Sequence, residues 1–152
     1  MAYGTEEARR DLLDTIADAI DELAVALAAL GTAYEQLDER SADRLEEELF
    51  GPVQRAYGRA KRTHAGFAER HGLPGRTFEP ATVPLASRGA KALLESAVDA
   101  VARADAVLAD LQDSMRPVEV GDPELRAGLA EVREVVGGLR ASAREFVRTL
   151  GR

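Results

Sequence analysis

The feature that most restricts the fold is a run of eight residues, Leu13, Ile16, Ile20, Leu23, Leu27, Leu30, Tyr34 and Leu37, separated by alternating steps of three and four. Such a stripe lies along one side of an α-helix and packs in coiled-coil fashion against other helices. A strand, whose side chains alternate with a period of two, cannot present it. Thr5 supplies a cap residue, and Glu6 and Glu7 place carboxylates at the positive end of the helix dipole. A first helix is therefore expected over residues 5–39.

Three further stripes follow. Ala42, Leu45, Leu49, Val53, Tyr57, Ala60, His64, Phe67 and His71 predict a second helix over residues 41–71, with a kink or break at Gly51-Pro52 because proline removes a backbone hydrogen bond and crowds the preceding turn. Residues 72–87, GLPGRTFEPATVPLAS, break helices and form the longest loop. Ala90, Leu94, Ala97, Val101, Ala104, Leu108, Leu111 and Met115 mark a third helix over 87–116. The fourth, over 122–150, opens on Asp122-Pro123-Glu124, a cap residue with proline at the first helical position, and carries Leu125, Leu129, Val132, Val136, Leu139, Ala143, Phe146 and Leu150. Four helices of this length, each about 45 Å long at about 1.5 Å per residue, with short outer connections, predict an all-α, antiparallel up-down-up-down four-helix bundle with coiled-coil-like heptad packing. A three-helix bundle with a divided second helix is the alternative.

A chain of 152 residues is expected to form one domain, residues 1–152, and to bury about 68–70% of the surface its unfolded form exposes. Cysteine is absent, which excludes disulfides, zinc-thiolate sites, iron-sulfur clusters and thiol nucleophiles. The charged opening MAYGTEEARRDLL does not read as a signal peptide, and the apolar run Leu23 to Leu30 is far short of the roughly 20 residues that cross a bilayer. A soluble, cytoplasmic protein is expected. The preference for arginine over lysine and the abundance of alanine fit a bacterial source.

Metal chemistry finds little footing. Bundles that hold two metal ions use inward glutamates and Glu-x-x-His motifs, whereas these stripes contain no acidic residue and the chain contains no such motif. His64 and His71 lie about 10 Å apart along one helix face, too far to share an ion without other ligands. They read instead as a core histidine and a helix-end cap. No Gly-x-Ser-x-Gly elbow and no phosphate-binding Gly-x-x-x-x-Gly-Lys loop occurs. Gly137-Gly138 weakens the fourth helix, and a close helix contact is the expected reason. No metal or other cofactor is expected, and the reading leans away from an enzyme.

The net charge of −7 disfavours a nucleic-acid partner, and the cationic face of the second helix lacks the large apolar residues that a membrane-surface helix needs. Charge is unevenly spread: residues 1–50 sum to −10, residues 51–76 to +5 and the remainder to −2. In an up-down-up-down bundle one end would gather Arg70, His71, Arg76, Arg88 and Lys91, a candidate site for a phosphate, a carboxylate or a small phosphometabolite. Over LAVALAAL the first helix is apolar nearly all round, so that Val25, Ala28 and Ala29 face away from the stripe and need a cover. The leading expectation is a non-enzymatic helical interaction or structural module. Its partner would be a second copy of itself, as a homodimer, or another protein. An anion-binding bundle, or an enzyme with its pocket at the basic end, is the alternative.

Overall fold

The computed structural model describes residues 4–81 and 89–150. These form helices α1 (Thr5–Gln36), α2 (Glu39–Leu45), α3 (Gly51–Arg70), α4 (Ala90–Asp113), α5 (Arg116–Glu119) and α6 (Pro123–Leu150), and there is no strand among the described residues. The four long rods pack around one apolar core, as expected for an all-α bundle.

Between α2 and α3 the chain does not break. Glu46–Phe50 form a π-turn, with the Gly51 amide donating to the Glu46 carbonyl, and α3 resumes with Pro52 in its first turn. A proline inside an ordinary helix would meet the carbonyl four residues back. One wider turn just before it absorbs that conflict, so residues 39–70 run as a single rod. Asp38 caps this rod, its carboxylate accepting from the Ser41 amide at 2.8 Å. Asp122 caps α6 as the sequence predicts, accepting from the Leu125 amide at 2.8 Å. At the start of α1 the cap position is Gly4, with no side-chain hydrogen bond, and Thr5 is already helical.

The order of helix directions departs from the up-down-up-down expectation. Arg103 of α4 pairs with Glu22 of α1, and Arg9 of α1 donates to the Val120 carbonyl beyond the end of α4. These contacts make α1 and α4 antiparallel. Along α3 and α6, Arg70 meets Asp122, Arg59 meets Glu131 and Arg44 meets Thr149, so that pair is antiparallel too. Arg133 of α6 meets Asp105 of α4. Every neighbouring pair runs in opposite directions, while α3 and α4 run the same way. The connection after α3 therefore has to travel back along the bundle. Gly72, in the left-handed region at φ 64°, turns the chain out of the helix, and Leu73 closes the end with its amide on the Ala68 carbonyl. Arg76 then reaches Asp21, midway along α1, and Phe78 stands edge-on to His64 of α3. A segment between Arg70 and Ala90 can span about 60 Å when extended, ample for a rod of this length.

The burial pattern matches most of the heptad stripes, with one rotation. On α1 the residues Ala19, Ala26, Ala29 and Ala33 are fully buried, on the face that carries Glu22 and therefore looks at α4. Small side chains there let α1 and α4 become the most extensively packed pair in the bundle. Leu27 is only half-buried and Tyr34 is exposed, as is Met115.

Candidate functional site

Of the residues proposed for an anion site, Arg70 and His71 come together, and the described Arg76 and Lys91 lie apart from them. Arg70 and His71, at the end of α3, both hold Asp122: the guanidinium through two hydrogen bonds of 2.8 and 2.9 Å, the imidazole Nε2 at 2.9 Å. Arg70 also reaches Glu124 at 2.9 Å. Burial pushes the Asp122 carboxyl up, but Arg70, the Leu125 amide and His71 together outweigh it and hold the group well below the usual carboxylate range. This cluster ties the end of α3 to the cap of α6. Arg76 lies along the bundle, clamped to Asp21 at 3.0 Å with its guanidinium over the Phe78 ring. Lys91 is in the first turn of α4, at the opposite end of the molecule from Arg70. Arg88 lies outside the described residues. With α4 reversed, acidic and basic groups mix at both ends and the expected basic end does not form.

The self-association residues divide as well. Ala29 is fully buried in the core, whereas Val25 and Ala28 are half-buried on the outer arc of α1. The alanine-rich stretch, for which a cover is expected, is covered along much of its length by the chain's own α4.

His64 is a core histidine, as the sequence suggests, 3% exposed and stacked edge-on by Phe78. Its Nδ1 has no hydrogen-bond partner among the described residues. Burial, then the Arg76 charge, lowers its pKa below the ordinary value, opposed by Asp14. Burial and the Arg76 charge both favour its neutral form.

A candidate pocket lies on the α4/α6 side. It is a half-open cavity of about 140 Å³, walled by Leu94 and Val101 of α4 and by Val136 and Leu139 of α6. Leu30 of α1, Val53 of α3 and Leu49, which sits in the π-turn, complete the apolar lining. Asp105, Gly137 and Arg140 contribute the polar and open part. Asp105 is neutralised by Arg133, whose Nε donates to it at 2.9 Å while Nη1 donates to Gln112 at 2.9 Å. Gly137 and Gly138 are exposed, and a Cβ on either would meet nothing within 4 Å. They do not serve a close helix contact. The close contact on α6 is at Gly128, where a Cβ would overlap the Thr63 side chain of α3. The sequence signal for the cavity is Gly137, the one of the pair that lines it, since a helix that gives up stability at a glycine has an opening there as readily as a contact.

Among the described residues no group of three or more His, Cys, Asp or Glu side chains could hold a metal ion, and no helix is long and apolar enough to cross a membrane. No family model, curated protein or solved structure matches this chain.

Proposed function

We propose that this protein is a cytoplasmic, non-enzymatic binding module that admits a small apolar guest into the cavity between α4 and α6. The observation that carries the reading is the half-open, mostly apolar space of about 140 Å³ beside Gly137. Apolar cavities of roughly 150 Å³ stay dry and take up benzene-sized guests, and an exposed glycine at the opening leaves a path in. A guest that binds the folded state alone raises its stability by mass action. Millimolar benzene or hexan-1-ol is therefore expected to raise the thermal midpoint and to shift the methyl resonances of Val136 and Leu139. Ala143 is buried at the cavity wall, and Ala143→Leu fills the space. This variant is expected to keep or raise the melting temperature and to lose the guest-induced shifts. Unperturbed methyl resonances in the wild-type protein at saturating guest would overturn the reading.

Self-association through α1 is the second reading, favoured by the apolar step that Val25 and Ala28 make in an outer arc otherwise carrying Asp14, Asp18 and Asp21. Replacing both with Glu is expected to convert a dimer to a folded monomer in sedimentation equilibrium. An assembly mass that does not move with the double variant removes this interface.

A further inference from the structure

The two walls of the cavity mouth differ in charge balance. On one side Asp105 is matched by Arg133, so its carboxylate adds no net charge. On the other, Arg140 lines the cavity, is exposed, and forms no ion pair among the described residues. It stands seven residues beyond Arg133 on α6, two turns or about 10 Å further along the same face. One turn further on, Arg144 lines an adjoining groove together with Arg148, Glu95 and Asp99. The charges of that groove are mixed, whereas Arg140 has no ion-pair partner among the described residues.

An apolar chamber with one unmatched guanidinium at its opening suits a molecule with an apolar tail and an anionic head. We propose that the cavity is a site for a short amphiphilic acid, with a tail of about five or six carbons among Leu94, Val101, Val136 and Leu139 and a carboxylate at Arg140. This rests on the cavity-binding reading above and adds the class of ligand. The guanidinium fork is the side chain best matched to a carboxylate, which it can hold through two parallel hydrogen bonds. Gly137, one helical turn before Arg140, leaves room for the head to pass between helix and solvent. The π-turn at Glu46–Phe50 brings Leu49 to the inner wall, and turns of this kind recur at functional sites.

The test compares hexanoate with hexan-1-ol, which shares its tail but carries no charge, by NMR titration of the full chain at pH 7 in low salt. Hexanoate is expected to bind about fivefold more tightly, the worth of one well-placed exposed ion pair. The difference should vanish in Arg140→Gln and persist in Arg144→Gln. Equal affinities in the wild-type protein, or a difference that survives Arg140→Gln, would overturn the acid-binding inference and leave the apolar cavity standing. Failure of both probes to bind would remove the cavity reading with it.

Discussion

Two kinds of glycine on α6 show how much a single residue's surroundings decide. At Gly128 the neighbouring Thr63 side chain occupies the space a Cβ would need, with Cγ2 at 2.8 Å and Cβ at 3.0 Å. At Gly138 the same position is open. Gly128→Ala is therefore expected to cost about 1–3 kcal/mol through overpacking. Gly138→Ala should add about 0.5–1 kcal/mol, because alanine is the better helix former and nothing opposes it. Urea unfolding of the two variants beside the wild type checks both signs. The sequence marks all three glycines of α6 as costly for a helix. It does not say which is a contact and which an opening, because that depends on side chains from α3 and α4, remote along the chain.

Among the elements, α1 carries the sharpest test of packing. Its large residues, Leu13 to Leu30, are legible as a stripe from spacing alone, and of these Leu13, Ile16, Ile20, Leu23 and Leu30 are buried while Leu27 is half-buried. The alanines beside them read as an outer face, because small side chains give a weak apolar signal whether they are solvated or pressed against a neighbour. Ala26 has no exposed surface, whereas Ala28, two residues away, is half-buried. Ala26→Leu is expected to destabilise by about 1–3 kcal/mol by forcing α4 away, while Ala28→Leu should stay within about 0.5 kcal/mol of wild type. Equal losses at the two positions, read from denaturant midpoints, would show that α1 does not pack on α4 by this face. The Gly51-Pro52 element was half legible: proline announced a disturbance, but the remedy, a π-turn that keeps the rod intact, depends on the wall that Leu49 and Val53 share with α4 and α6.

For the whole molecule, the crossover after α3 has an acid-stability consequence. It lays Phe78 and Arg76 over His64, excluding water and adding a positive charge nearby. In the folded state the His64 pKa is therefore below the ordinary 6.5, so the unfolded chain binds the proton more readily. This contribution to stability is fully present above pH 6.5 and is lost as pH falls through the folded value. Asp122 adds a second loss at lower pH, present above 3.8 and lost as pH falls through its depressed folded value. Urea midpoints are expected to fall between pH 7.5 and pH 5.5. His64→Leu, which replaces the buried imidazole with apolar bulk, should remove most of that slope. A slope unchanged in His64→Leu would assign the acid limb to other groups.

The sequence by itself determined the all-α class, the long rods, the cap at Asp122, most of the buried positions and the core placement of His64, because each depends on periodicity or on residues within a turn or two. Only the tertiary structure decided the direction of α4, and with it which ends meet. Short connectors force antiparallel neighbours, but a 72–89 segment long enough either to stay at one end or to cross the bundle forces neither. That single choice separated Arg70 from Lys91 and set α4 over the alanines of α1.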